Sequence, residues 1–388
     1  MFSRRIERLS ESLTMAITAL AKELKAQGKD VLSFSAGEPD FDTPEAIKKA
    51  AIEAIESGFT KYTAVDGIPE LKEAIVGKLK RDNGLEYSPD QVIVSNGAKQ
   101  SLFNLTQVLI DEGDEVIIPS PYWVTYPELV KYAGGRPVIV PTDESTGFKI
   151  TPAQLRNAIT DKTKLLILTT PSNPTGAVYS KAELEALAQV LEGTKVLVAS
   201  DEMYEKLVYG DVRFTSAANI SEDMFKRTIT INGLSKSAAM TGWRFGYLAA
   251  ADKELVKAMK KLQSQSTSNI NSITQKAAIP GLDGTIDADI EMMRKQFQKR
   301  RDRAVELLNA IDGISVLKPD GAFYLFVNHS AVMRDSMQFA KELLEQKGVA
   351  VVPGVGFGAE GYFRFSFATD LESIEEGIRR IEEFVNAK

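Results

Sequence analysis

Six short runs rich in β-branched and aliphatic residues recur through the middle of the chain: Val92-Ile93-Val94, Val116-Ile117-Ile118, Val138-Ile139-Val140, Leu165-Leu166-Ile167-Leu168, Val196-Leu197-Val198 and Thr228-Ile229-Thr230-Ile231. They read as apolar on both faces, unlike a strand with one face in water. Such strands need cover on both sides, and a parallel sheet between helices supplies it. Stretches of helical periodicity separate several of them, as with Leu184, Leu187, Val190 and Leu191. The alternation predicts an α/β architecture.

Upstream, Thr43-Pro44 is set to open a helix, with Thr43 as its cap and Ile47, Ala51, Ala54 and Ile55 on one face. Pro69 opens another, with Leu71, Ile75 and Leu79 four apart and Gly84 near its end. After about residue 285 the pattern changes. A long charged helix (Ile290, Met293, Phe297, Ala304, Leu307, Leu308) leads to strands at Gly321–Asn328, Val349–Gly354 and Tyr362–Ala368. A last helix carries Ile374, Ile378, Ile381 and Val385. The expected division is a large domain over 45–285 and a smaller α+β domain over 286–388, with an N-terminal segment over 1–44 joining the small domain.

Composition narrows the chemistry. With 44% hydrophobic and 26% charged residues, the chain has enough apolar surface to fold rather than stay disordered. A net charge of −6 without a basic tract argues against a nucleic-acid partner. Cysteine is absent and His329 is the only histidine, so disulfides, thiolate nucleophiles and multi-histidine metal sites are excluded and no metal is expected. The first residues carry Glu7, Glu11 and Glu23, and no run approaches the ~18 apolar residues of a membrane span. No membrane partner is expected, and the expected compartment is the cytoplasm. Chemistry then falls to Lys, carboxylates, Tyr, Arg, hydroxyls or a cofactor.

Four segments carry that chemistry. Lys236 follows a buried strand, where desolvation lowers an amine's pKa and makes it a nucleophile toward an aldehyde. Arg244 lies eight residues on, between Gly242 and Gly246, suited to an anion; a surface turn with a solvated lysine would read the same way. Asp201 ends an apolar strand, where ligands of open α/β sheets bind, and Tyr204 follows. Asp201 there could hold a ring nitrogen protonated or cap a following helix. Thr170–Gly176 is a proline-rich loop presenting Asn173. Gly97-Ala98-Lys99 joins a strand to a helix and offers backbone N–H groups to a phosphate.

Together these segments resemble the class I, fold-type I aminotransferases that use pyridoxal 5'-phosphate. Further matches are Ala36–Phe41, Lys61-Tyr62 with Gly67–Leu71, Pro121–Trp123, Pro353-Gly354 and Arg364–Ser366. The resemblance implies a mostly parallel seven-stranded sheet between helices, a smaller α+β domain, and a homodimer with shared sites. It implies that Lys236 bonds the cofactor aldehyde, Asp201 supports the pyridinium, and Tyr204 and Asn173 meet the ring oxygen. Trp123 would cover the ring. Arg244, Gly97, Ala98, Lys99, Ser235 and the partner's Tyr62 would hold the phosphate. Arg364, Asn173, Gly37 and Trp123 would receive the substrate. The prokaryote-type aspartate aminotransferases are the most similar group, and Lys99 and Thr14 match the positions that meet the distal carboxylate. The implied reaction moves an amino group from L-aspartate to 2-oxoglutarate, with prephenate or aromatic aminotransfer as the alternative. Three positions depart from the pattern: Gly233, Ala238 and Ile270.

The remaining conspicuous residues read as structural. His329 suits a loop or cap, Trp243 packs beside Arg244, and Tyr324 alternates with Phe326 along a strand, with Tyr324 open to the site. The basic cluster from Arg294 to Arg303 reads as a solvated helix face, and Glu202 as pointing away from Asp201. A regulatory module without turnover would keep the fold, but the catalytic set is complete. A dehydrogenase lacks its GxGxxG after an early strand.

Overall fold

The computed structural model describes residues 2–10 and 13–388, without the side chains of residues 13–18. Its helices are α1 (Arg4–Glu7), α2 (Leu13–Ala26), α3 (Glu45–Glu56), α4 (Pro69–Asn83), α5 (Ala98–Leu109), α6 (Thr125–Ala133), α7 (Pro152–Ala158), α8 (Lys181–Leu191), α9 (Glu222–Arg227), α10 (Lys253–Ser264), α11 (Ser272–Ala278), α12 (Asp287–Asn309), α13 (Ser336–Lys347) and α14 (Leu371–Val385). The strands are β1 (Leu32–Ser33), β2 (Val92–Asn96), β3 (Glu115–Ser120), β4 (Arg136–Pro141), β5 (Thr163–Thr169), β6 (Leu197–Asp201), β7 (Thr228–Gly233), β8 (Phe245–Ala250), β9 (Ser315–Val316), β10 (Tyr324–Asn328), β11 (Val349–Ala350), β12 (Val352–Pro353) and β13 (Tyr362–Ser366).

Strands β2 to β8 form one seven-stranded sheet in the order β2-β8-β7-β6-β5-β3-β4. All neighbours run parallel except β8, which opposes both β2 and β7. The expected mostly parallel sheet is therefore present, and both its faces are covered. Ile93, Ile118, Ile167 and Leu248 join one apolar layer with α5 and α10. On the other side, Val92, Val94 and Tyr247 meet α3 and α4, while Ile117, Leu166 and Val198 meet α7 and α8. Each such aliphatic side chain contributes about 1.5–3 kcal/mol on full burial. The end strand β4 departs from the two-sided expectation: Ile139 is 38% exposed, because an end strand is covered incompletely.

The small sheet has the order β12-β13-β10-β9, and β1 pairs with β11. Val349–Gly354, expected as one strand, is thus two short ones that serve different sheets. In α4, Leu71, Ile75 and Leu79 are buried and Gly84 ends the helix in the left-handed region at φ 65°. Helix α14 buries Ile374, Ile378, Ile381 and Val385 as expected.

Three local expectations are corrected. Thr43 does not cap α3; its hydroxyl donates to the Ala239 carbonyl and accepts from the Trp243 indole. Ile55 is exposed, while Ile47, Ala51 and Ala54 are buried. The basic face of α12 is only partly solvated, since Arg301 is buried against Tyr209 and donates to the Pro319 carbonyl. Arg300 forks onto Asp40 at 2.7 and 2.9 Å and lies over Phe41, tying the N-terminal loop to α12. His329 lies in the loop after β10 as expected, yet it is fully buried, stacked on Phe339 with centroids 4.0 Å apart, and burial lowers its pKa.

Candidate active site

A cavity of about 540 Å³ opens at the carboxyl ends of β5, β6 and β7 and is roofed by residues of the small sheet. It brings together Gly37, Ala98, Lys99, Trp123, Asn173, Asp201, Tyr204, Ser235, Lys236, Arg244 and Arg364. Of the residues singled out in the sequence, Gly97 stands just behind this wall, as the N-cap of α5. Tyr62 is outside it and 92% exposed. Thr14 lies on α2, and its side chain is outside the described residues.

Lys236 stands in the loop between β7 and β8, a short excursion from the sheet that ends with Arg244. Its ammonium donates to the Gly37 carbonyl and finds no carboxylate partner there. Desolvation, with the nearby positive charges of Arg364 and Arg244, pulls its pKa down to about 8. Thr241 in the same loop donates to Glu38 at 2.9 Å, fastening the loop to the N-terminal segment.

Asp201 ends β6 beneath the cavity. It accepts from the Tyr126 hydroxyl at 2.7 Å and from the Met203 N–H at 3.3 Å. Burial nevertheless raises its pKa, so the carboxylate is poised for a cationic partner. No helix follows for it to cap. Tyr126 also accepts from Thr169 at 2.8 Å. The Tyr204 hydroxyl shares a 2.9 Å hydrogen bond with that of Tyr324, which lines the cavity as expected.

The corner beside Arg244, suited to an anion, is built from backbone. Gly97 precedes α5 at φ 81°, and a side chain there would run into the Arg244 guanidinium. One at Gly246 would run into Ala98. The missing side chains let the N-terminus of α5 and Arg244 converge. Arg244 itself sits at φ 57°, an uncommon conformation for a side chain of its size. Lys99 lies 4.8 Å from the Trp123 ring, and partial desolvation together with the Arg244 charge lowers its pKa.

On the opposite wall Arg364 donates to Asn173 at 2.9 Å and to the Ser35 carbonyl at 2.8 Å, stacked over Tyr324 at 4.4 Å. Its Nε is buried without a partner. Every charged wall group except buried Asp201 is a cation: Lys22, Lys99, Lys236, Arg244 and Arg364. Such a cavity suits a ligand set with several negative groups. Reading the sequence alone misses Tyr126, Thr169 and Ser35. The one signal for Tyr126 is its place three residues after Trp123, at the start of a helix. Glu202 points away, into the layer behind the sheet, where it accepts from Ser200 and Ser216.

Residues 29–381 match the family described as aminotransferase class I and II. The chain is 50% identical to the aspartate aminotransferase of Bacillus subtilis (strain 168) over 99% of this chain and 98% of the relative. It is also 50% identical to the aspartate/prephenate aminotransferase of Cereibacter sphaeroides (strain ATCC 17029 / ATH 2.4.9), covering 98% and 97%. Among solved structures, the Thermus thermophilus aspartate aminotransferase with maleate superposes with a TM-score of 0.95 at 44% identity, covering 99% of both chains.

Proposed function

Since the chain belongs to the class I and II aminotransferase family, we propose that it transfers the amino group of L-aspartate to 2-oxoglutarate with pyridoxal 5'-phosphate. The observation that carries this reading is one cavity holding an amine without a counter-ion, a strand-end carboxylate and two separate arginines. The residues fit the cofactor. Arg244, the N-terminus of α5 and Ser235 make a cradle for its phosphate, completed by the partner's Tyr62. Asp201 would meet its ring nitrogen, Asn173 and Tyr204 its ring oxygen, and Trp123 its face. Bound there, it supplies an aldehyde that takes up the amino group and a ring that spreads negative charge from the substrate α-carbon.

The chain's own groups do the rest. Lys236, with its pKa near 8, exists partly as a free amine at neutral pH, and its Nζ carries the proton removed from the substrate α-carbon. The Asp201 carboxylate keeps the ring nitrogen protonated. Arg364 forks onto the α-carboxylate, with the Gly37 N–H and Asn173 alongside. Lys99, with Thr14, receives the distal carboxylate. The Arg300–Asp40 pair and the Thr241–Glu38 bond hold the N-terminal loop over the cavity and keep water out.

The chain works as a cytoplasmic homodimer in this reading, with the small domain spanning 286–388. Exposed Tyr62, together with exposed Ile52 and Ile55 on α3, supports a partner surface beside the site. Prephenate is the second reading, favoured by relatives named aspartate/prephenate aminotransferase. The test is a half-reaction panel on the cofactor-loaded protein. Spectral conversion by aspartate and glutamate, but not by alanine, is expected. Conversion by alanine as fast as by aspartate overturns the dicarboxylate reading, and turnover of prephenate with glutamate decides for the second.

A further inference from the structure

Behind Asp201, on the far face of the sheet, lies a second set of buried ionisable groups that the reaction does not use. Glu202 and Glu205 flank Tyr204 on the same turn, and both are buried with Lys78 of α4. Lys78 and Asn83 are committed to Glu205. The Lys78 ammonium pairs with one Glu205 oxygen and also donates to the Asn83 amide oxygen at 2.8 Å; the Asn83 amide donates to the other Glu205 oxygen at 2.8 Å. Glu202 is left without a cation. One of its oxygens accepts from Ser200 and Ser216 at 2.8 Å each and from the Ala217 N–H at 3.2 Å. Its other oxygen is buried with no partner, and so are the hydroxyls of nearby Tyr87 and Tyr247.

Counting charges decides the protonation state. Two buried carboxylates share one ammonium, and a lone carboxylate in a dry layer takes up a proton rather than remain charged. We propose that Glu202 is a positioning residue: a neutral carboxylic acid that braces the turn carrying Asp201 and Tyr204, and whose ionisation loosens that turn. The groups that face it are Glu205 on its own turn, Lys78 on α4, Tyr87 ahead of β2 and Tyr247 on β8. Further out, Asp82 is neutralised by Lys206 and Arg81. Burial and the Glu205 charge push Glu202 up to about 7, in keeping with the count. Being one residue from Asp201, the brace links the rear layer to the cavity floor, and that functional link rests on the cofactor reading above.

The test uses cofactor-free protein first. Infrared titration should show the carbonyl band of a protonated carboxylic acid, lost with a midpoint near pH 7 and absent from Glu202→Gln. A folded-state value raised above the ordinary 4.5 gives stability that is full below 4.5 and lost as pH rises through about 7. Glu202→Gln should therefore gain on the wild type by roughly a few degrees in melting temperature between pH 5 and pH 9. Should that variant misfold, Lys78→Met, which strips Glu205 of its cation, should add a second carboxylic-acid band. Finally, the affinity for pyridoxal 5'-phosphate, followed by tryptophan fluorescence, should fall several-fold more from pH 6 to pH 9 in the wild type than in Glu202→Gln. A missing band or a melting difference independent of pH overturns the protonated acid. Equal pH dependence of affinity overturns the positioning role. If neither protein binds pyridoxal phosphate at any pH, the cofactor reading and the positioning role both fall, while the infrared result is unaffected.

Discussion

Two lysines lie on opposite sides of the same sheet, Lys78 buried and Lys236 half-buried, and their surroundings could hardly differ more. Behind the sheet, Lys78 is closed off by Glu205 and Asn83. At the front, Lys236 donates to the carbonyl of Gly37 and makes no ion pair among the described residues; Arg364 and Arg244 oppose its charge, and Glu38 and Asp201 offset them only in part. Burial alone does not make an amine reactive. Burial without a counter-ion does, because the charged form then loses its solvation with nothing to replace it. The rear region uses its lysine for structure; the front region keeps its lysine short of partners and available for chemistry.

The sharpest way to break this contrast is to delete each amine in turn. Lys236→Ala should keep its fold and lose turnover by roughly 10³-fold or more, along with the cofactor's bound-state absorbance. Lys78→Met should do the reverse. It leaves Glu205 buried without its cation, so denaturant unfolding should show a loss of about 3–5 kcal/mol, with a much smaller change in turnover of the folded fraction. A Lys78 variant that loses chemistry but not stability would erase the distinction. Next in size is Asp201→Asn, which removes the only acid lining the cavity among the described residues; a loss of roughly 10²-fold in kcat is expected, against little change for Asp82→Asn at the rear.

Finer tests separate the front cations from one another. Arg364→Lys keeps the charge but loses the fork onto a carboxylate, worth about 1.5–3 kcal/mol, so kcat/KM should fall by roughly 10- to 100-fold for every amino acid. Lys99→Ala should cost aspartate about tenfold more than alanine, and equal losses would remove its distal role. The smallest effect is on stability against pH. Lys236 titrates near 8 in the folded chain and near 10.5 when unfolded, so its cost to the fold is full below 8 and is relieved as pH rises through 10.5. Cofactor-free Lys236→Met should melt above the wild type at pH 7, and that advantage should vanish toward pH 10.5.

Much of the large sheet was legible in the sequence because two-sided burial leaves apolar runs that no surface strand shares. The place of Asp201, Asn173 and Lys236 in the cavity was legible for a related reason: Asp201 ends such a run, and Asn173 and Lys236 stand in the loops that follow two others. Partners brought together through space were not. The Tyr126–Asp201 bond spans 75 positions and the Arg300–Asp40 fork spans 260, so no local spacing announces either. The basic stretch of α12 misled for the same reason, since an arginine looks alike in sequence whether it faces water or reaches a buried carbonyl. The burial of His329 was not legible, because its stacking on Phe339 joins residues that only the fold brings together.

The reversed direction of β8 has a consequence of its own. The chain leaves the sheet on β7 and returns on its immediate neighbour, so the whole excursion bearing Lys236 and Arg244 is pinned at both feet to adjacent rungs of one ladder. In the proposed reading it would work as a caliper of fixed span between the amine that would bond the cofactor and the arginine that would hold its phosphate. Lengthening or shortening it by a single residue would misalign the two jaws, whereas a comparable change in the loop after α8 would leave that span untouched.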